Sequence, residues 1–190
     1  MSATNLPTLP SHAQAVVIGG GVIGTSVAYH LALLGWKDVV LLERDRLTSG
    51  TTWHAAGLVV TFGSTSETST EIRKYTRDLY TRLEGETGQS TGFSPIGFIE
   101  VASDKGRLEE YRRVAVFNRH CGVAVDEISP REVQELFPLA NVDDMEAGFY
   151  VKEDGRANPV DVTMALAKGA RKRGVRIVEG VAATGVLQTR

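Results

Sequence analysis

The fold is decided by VVIGGGVIG, residues 16–24, and by VVLLE, residues 39–43, which follows an apolar run. The first segment predicts a buried strand, Ala15–Ile18, a glycine turn and a helix, Val22–Leu34, that ends at Gly35. The second predicts a further strand, Val39–Glu43. A strand-helix-strand unit of this length crosses over right-handedly, so both strands belong to one parallel sheet.

The glycine turn has the spacing of a dinucleotide site. Gly19 permits the sharp exit from the strand, Gly21 lets backbone and diphosphate approach closely, and Gly24 lets the helix pack tightly on the sheet. Amide groups at the start of the helix, at Val22 and Ile23, would face phosphate oxygens, and the helix dipole favours negative charge there. We therefore predict that this turn binds a diphosphate.

An acid follows at the distance that such sites use. Glu43 lies 19 residues after Gly24, at the end of the second strand. Its carboxylate can accept hydrogen bonds from a ribose 2′-hydroxyl and would repel a 2′-phosphate, which argues against NADP. NAD and FAD remain open, because both carry free ribose hydroxyls. We include the next residue, Arg44, in the predicted site.

Composition excludes several classes of protein. The net charge is −2 over 190 residues, with no long run of one sign, so nothing indicates nucleic acid or an anionic membrane. Residues 15–36 carry no Lys, Arg, Asp or Glu, but three consecutive glycines cost about 1 kcal/mol each in a helix, which disfavours a membrane span. The single cysteine, Cys121, excludes an internal disulfide and fits a reducing compartment, so we expect a cytoplasmic location. The four histidines lack metal-ligand spacing.

The remaining chain alternates helices and strands without a second nucleotide motif. An amphipathic helix is predicted over Glu71–Leu83, ended by Gly85 and Gly88, and a capping box starts a helix at Ser129. Asn158 caps the last long helix. The other predicted elements are a helix around 108–118 and strands at 97–102, 123–128, 149–151, 175–178 and 183–188. A sequence that stops on a strand would leave an open sheet edge, so we expect a portion of a longer chain.

A polar loop, TSGTTWHAAGL at residues 48–58, follows the second strand unit. Its hydroxyls and glycines offer donors to phosphates or to a ring system. From residue chemistry alone, His54 is equally a base, a structural hydrogen-bonding group or a loop histidine. The predicted contacts in this loop are Ser49, Gly50, Thr51, Thr52, His54, Gly57 and Leu58.

Three segments carry a family resemblance: VVIGGG-x-x-G, LLERDRLTSGTTWHAAGL and ELFPLANVDDMEAGFYVKEDG. They resemble the sarcosine dehydrogenase and dimethylglycine dehydrogenase family, flavoproteins of the D-amino-acid-oxidase-like group. The resemblance implies that His54 carries FAD covalently through the flavin 8α-methyl carbon. It also implies oxidation of an N-methyl amino acid to a demethylated amine and formaldehyde, or to a tetrahydrofolate-bound one-carbon unit. An electron-transfer flavoprotein or oxygen would accept the electrons, and a folate-binding region would lie beyond this sequence.

The predicted fold class is α/β, with a Rossmann-like FAD-binding parallel sheet and the start of an α+β substrate domain. The predicted domains are a tail at 1–13, a first FAD-binding segment at 14–94, a substrate-domain segment at 95–157 and a return to the FAD-binding domain at 158–190. Two alternatives stay open. One is an NAD-dependent dehydrogenase domain, and the other is a non-catalytic regulatory homologue.

Overall fold

The structure is a computed structural model that describes residues 9–188, so most of the predicted tail lies outside the described residues. It contains eight strands and five helices within that range, besides a 3-10 helix, Thr52–His54. The strands are β1 Ala15–Ile18, β2 Val39–Leu42, β3 Leu58–Val59, β4 Phe98–Ala102, β5 Asp126–Ile128, β6 Ala147–Val151, β7 Gly155–Arg156 and β8 Arg176–Val178. The helices are α1 Val22–Leu33, α2 Glu67–Thr87, α3 Lys105–His120, α4 Pro130–Leu136 and α5 Pro159–Lys172.

The chain divides into two compact units. The first unit comprises the residues up to 57, residues 82–92 and the residues from 158 onward, and the second comprises 58–81 and 93–157. The expected return at residue 158 coincides with a boundary between these units. Residues 58–81, in contrast, group with the second unit and not with the predicted segment 14–94. The assignment of FAD binding and substrate binding to these units stays a prediction.

The first unit is built on a parallel sheet of order β1-β2-β8. Helix α1 packs on the face of β1 that carries Val17, whose Cγ1 would lie 3.5 Å from a Cβ at Gly24. The prediction that β1 is buried is wrong for its other face. Val16 is 54% exposed and Ile18 is 60% exposed, because they point away from α1.

Helices α1 and α5 pack closely in the same unit. Tyr29 of α1 is fully buried, and a Cβ at Gly169 of α5 would come within 2.8 Å of its ring. The late basic residues of α5 reach the end of another helix: Lys172 Nζ donates to the Glu86 carbonyl and Lys168 Nζ to the Gly88 carbonyl. They therefore satisfy carbonyl groups at the C-terminal end of α2, where cations are favourable.

The second unit contains an antiparallel sheet of order β4-β6-β5. Phe149 of β6 is fully buried and lies with Phe62 and the partly buried Tyr111 of α3 in one aromatic cluster. On the opposite face, a Cβ at Gly148 would meet Val133 of α4 at 2.6 Å, so glycine is needed there. The predicted capping box at Ser129 is confirmed.

Two sequence-based elements differ from the structure. Helix α2 extends from Glu67 to Thr87, so Gly85 lies inside it and Gly88, at φ +66°, follows its end. The predicted strand 183–188 is wrong, because residues 179–188 form no ladder and the Val181 N–H bonds to the Glu43 carbonyl at the end of β2. Within residues 9–188, no helix is both long and apolar enough to cross a membrane.

Candidate functional site

The glycine turn has the geometry that its sequence predicts. Gly19 adopts φ +107°, which favours glycine, and its N–H donates to the Leu42 carbonyl at 2.8 Å. A Cβ at Gly24 would collide with the Gly19 carbonyl oxygen, so only glycine lets α1 start this close to β1. These contacts place the N-terminus of α1 at the carboxyl end of the sheet, where ligands bind in open α/β folds.

The first amide of α1 is held by a side chain from the polar loop. Gly21 is the N-cap residue and has no side chain to offer. The buried Thr52 supplies the missing acceptor: its hydroxyl oxygen accepts from the Val22 N–H at 3.0 Å. The same oxygen would lie 2.9 Å from a Cβ at Gly21. The 3-10 helix is therefore anchored to the glycine turn through Thr52.

The middle glycine of the turn is fixed on both sides. The Gly20 N–H donates to Glu43 Oε2 at 2.6 Å, and the Gly20 carbonyl accepts from the Thr48 N–H at 3.1 Å. The other carboxylate oxygen of Glu43 accepts from the Asp45 N–H at 2.9 Å. A Cβ at Gly20 would meet Leu47 at 2.6 Å and the Glu43 Cβ at 3.0 Å, so the segment 43–48 packs directly against this peptide.

Segment 43–48 is held in turn by the residues that follow β8. The Val181 N–H donates to the Glu43 carbonyl at 2.9 Å, and the Gly180 N–H donates to the Asp45 carbonyl at 3.0 Å. The Leu47 N–H donates to Glu179 Oε2 at 3.1 Å. The turn, segment 43–48 and segment 179–181 thus form a continuous hydrogen-bonded support at the ends of the three parallel strands.

A cavity of about 460 Å³ lies on this support. Eight of the predicted site residues line it: Gly19, Gly21, Glu43, Arg44, Ser49, Gly50, Thr51 and Thr52. Six further lining residues were not predicted: Ile18, Gly20, Leu42, Val181, Ala182 and Ala183. Gly20 could have been found within the glycine run itself. Residues 181–183 follow a parallel strand, and ligands bind at the carboxyl ends of such strands, but only the pairing of β8 with β2 reveals that they belong here.

The other predicted residues do not line this cavity. Val22, Ile23 and Gly24 form the start of α1, and Ile23 is 78% exposed. Gly57, at φ +77°, closes the polar loop, and Leu58 begins β3 in the second unit. Their direct contact with a cofactor stays a prediction.

His54 ends the 3-10 helix at the surface of the first unit. Its side chain is exposed and its ring lies on the Trp53 ring, with centroids 3.6 Å apart and planes inclined by 32°. Its backbone N–H donates to the Thr51 carbonyl. The imidazole is thus accessible, two residues from the threonine that anchors the loop to the glycine turn.

The residues present fit a dinucleotide diphosphate. Gly21 presents only backbone to the cavity. Helix α1, which begins at the next residue, has 12 residues, and its dipole favours an anion at this end. The loop hydroxyls of Ser49 and Thr51 line the same cavity and can donate to phosphate oxygens.

The second unit has a buried carboxylate that the sequence did not reveal. Asp154 is fully buried, and its two oxygens accept from the Thr61 N–H at 2.7 Å and the Thr61 hydroxyl at 2.8 Å. Burial raises the pKa of Asp154, and the Thr61 hydrogen bonds oppose that rise. An apolar cavity of about 830 Å³ also lies in this unit, lined by residues of β4, β6 and α4, including Ile99, Tyr150 and Val133.

Residues 14–190 match the profile of the DAO family of FAD-dependent oxidoreductases. The chain belongs to this family. It is 44% identical over 179 residues to human mitochondrial sarcosine dehydrogenase, covering 94% of this chain and 19% of that protein. It is 44% identical over 172 residues to mitochondrial dimethylglycine dehydrogenase of Rattus norvegicus, covering 89% of this chain and 20% of that protein.

Two further likenesses bear on fold and function. The mitochondrial pyruvate dehydrogenase phosphatase regulatory subunit of Mus musculus is 41% identical over 94% of this chain and 20% of its own length. Among solved structures, L-proline dehydrogenase from P. horikoshii superposes with a TM-score of 0.87 at 27% identity, covering 94% of this chain and 47% of that chain. The predicted resemblance and the α/β FAD-binding fold are confirmed. The chain spans about a fifth of the length of these curated relatives.

Proposed function

We propose that the intact protein is a flavoenzyme that oxidises the C–N bond of an N-methyl amino acid of the sarcosine or dimethylglycine type. Equal identity, 44%, to a sarcosine and a dimethylglycine dehydrogenase supports this substrate class. The observation that carries the proposal is the cavity at the ends of β1, β2 and β8, where the glycine turn meets the loop that bears His54.

The roles of the residues follow from their positions. Gly19, Gly21 and the first turn of α1 bind the diphosphate, and Thr52 holds the polar loop against that turn. His54 presents an accessible imidazole and is the proposed point of covalent attachment to the flavin 8α-methyl carbon. When bound, FAD supplies the acceptor for the hydride that leaves the carbon next to the substrate nitrogen.

The products and partners are further parts of the proposal. Oxidation of the N-methyl group, followed by addition of water, gives the demethylated amine and formaldehyde. Tetrahydrofolate bound elsewhere in the intact protein would instead capture the one-carbon unit. An electron-transfer flavoprotein is the proposed electron acceptor, and the cytoplasmic location stays a prediction based on the lone cysteine.

Two spectroscopic steps on the intact protein test this function. We expect flavin absorbance that stays with the protein after acid denaturation, and bleaching of that absorbance when sarcosine or dimethylglycine is added without oxygen. His54→Ala should fold as the parent protein does, but it should release its flavin on acid denaturation. A colourless protein made with ample riboflavin contradicts the flavin site, and a flavin that no secondary or tertiary amine bleaches contradicts the activity.

One relative favours a second candidate function. This relative, 41% identical to this chain, is named as a regulatory subunit and not as a dehydrogenase. A regulatory homologue would keep the flavin-binding fold without turnover. Bound flavin that fails to bleach with any amine favours this candidate. The third possibility, an NAD-dependent dehydrogenase, finds less support because the matching family is FAD-dependent.

A further inference from the structure

The carboxylate of Glu43 is directed at the glycine turn. Its Oε2 accepts from the Gly20 N–H at 2.6 Å, its Oε1 accepts from the Asp45 N–H at 2.9 Å, and the residue is only 8% exposed. Both oxygens are therefore engaged by backbone amides. A short, buried hydrogen bond to a charged acceptor is stronger than a neutral one, so this contact fixes the orientation of the Gly20 peptide.

Packing and hydrogen bonding at Gly20 leave this peptide little freedom. The Thr48 N–H donates to the Gly20 carbonyl, which belongs to the following peptide group, while Leu47 and the Glu43 stem lie where a side chain at Gly20 would otherwise be. Segment 43–48 is itself held by Glu179, Gly180 and Val181. Glu43 thus connects the turn by a side-chain hydrogen bond to the segments that follow β2 and β8.

We propose that Glu43 is a positioning residue for the diphosphate turn, and that this role is independent of any contact with ribose hydroxyls. The inference rests on the proposed cofactor site but not on amine oxidation. If Glu43 only bound ribose, its substitution would weaken the affinity only for ligands that carry ribose hydroxyls. If Glu43 positions the turn, its substitution weakens the affinity for every ligand whose diphosphate binds there, with or without those hydroxyls.

Two nucleotides separate the roles: ADP and 2′,3′-dideoxy-ADP. Binding is measured by isothermal titration calorimetry on the intact protein in the His54→Ala background, after removal of flavin. Glu43→Gln keeps the shape but offers one acceptor oxygen where the carboxylate offers two. The matched control is Asp45→Asn, which removes the same charge two residues away and keeps the Glu43 contact with Gly20. The fitted stoichiometry reports the folded fraction, so that misfolding is distinguished from weakened affinity.

We expect Glu43→Gln to raise the Kd of dideoxy-ADP by about tenfold, with a similar rise for ADP, since one charge-assisted hydrogen bond is lost. Asp45→Asn should leave both affinities within about twofold. An unchanged Kd for dideoxy-ADP in Glu43→Gln overturns the inference and leaves Glu43 as a ribose contact. If the parent protein binds neither nucleotide, the diphosphate site and the inference both fail. Flavin that does not bleach with amines affects only the proposed activity.

Discussion

Two glycines of this chain differ in what a side chain at their position would contact. Gly24 lies where any side chain would enter the Gly19 carbonyl, and the approach of α1 to the sheet depends on its absence. Gly85 lies on the exposed side of α2 with open space around its missing Cβ. The first glycine is required by packing. The second costs backbone entropy within a helix and gains no contact.

We predict opposite effects for alanine at these positions. Gly24→Ala should lower the free energy of unfolding by about 1–3 kcal/mol, because the added methyl group forces α1 away from β1. Gly85→Ala should raise it by up to about 1 kcal/mol, since alanine is the better helix former. Denaturant unfolding of the intact protein measures both. Equal stability of the two variants would contradict the packing role of Gly24.

The Thr52 hydroxyl gives a second prediction at this scale. Thr52→Val keeps the shape but removes the acceptor for the Val22 N–H, so it should cost about 0.5–2 kcal/mol, the range for a lost helix cap. It should also speed the release of FAD, because the polar loop loses its anchor. Unfolding curves and flavin release in the His54→Ala background measure these effects. Thr52→Ser keeps the hydroxyl and should have the stability and flavin release of the parent. If Thr52→Ser is as unstable as Thr52→Val, the role of the hydroxyl is contradicted.

Among the elements, β3 and its continuation are fixed to the second unit by side chains far away in sequence. Asp154, just before β7, accepts from both donors of Thr61, and Asn118 of α3 accepts from the Gly63 N–H and donates to the Ser64 carbonyl. Thr61, Asn118 and Asp154 are all fully buried. Such buried polar groups are stable only while every partner is present.

Thr61→Val tests this arrangement through its pH dependence. At neutral pH the variant leaves a buried carboxylate short of one donor, which should cost about 1–3 kcal/mol. Burial raises the pKa of Asp154, so the folded protein binds this proton more tightly than the unfolded chain and its contribution to stability falls as pH rises through the folded pKa. Losing the hydroxyl donor raises that pKa further, so the deficit should shrink toward acid.

Urea unfolding from acidic to neutral pH measures this deficit. Thr81→Val, on the exposed side of α2, is the control and should stay within about 0.5 kcal/mol of the parent. A Thr61→Val protein as stable as the parent at neutral pH would show that the Asp154 contact contributes nothing.

Local sequence patterns predicted the helices and strands, but they did not predict the long-range contacts between them. The strand-turn-helix at 15–33 and the caps at Ser129 and Asn158 follow from short-range chemistry, and the structure contains them. The support beneath the cavity does not follow from it, because Glu43 and Val181 meet only through the pairing of β2 with β8. The same applies to Asp154: its Asp-Gly sequence indicates a turn, and only the packed structure reveals that its carboxylate is buried.

At the scale of the whole molecule, the proposed dinucleotide site is assembled from distant parts of the chain. The first unit draws on three separate segments, and its cavity combines the turn at 19–21, the loop at 49–52 and residues 181–183. The family match covers residues 14–190, which include all of these parts. The proposed function therefore requires that this assembled cavity binds the diphosphate of FAD.

The most direct test is the flavin content of the intact protein when Gly21 is replaced by Asp. Gly21 is the N-cap residue at φ −79° and ψ −177°, a conformation in which aspartate is a favourable cap. Helix α1 should therefore form even though the added Cβ, 2.9 Å from the Thr52 hydroxyl, displaces that hydroxyl from the Val22 N–H. The aspartate carboxylate would nevertheless occupy the position of the diphosphate and would repel its negative charge. We predict stoichiometric flavin in the parent protein and none in Gly21→Asp, with far-ultraviolet circular dichroism showing that the variant is folded. Equal flavin content in the two proteins would contradict the assignment of this cavity to FAD.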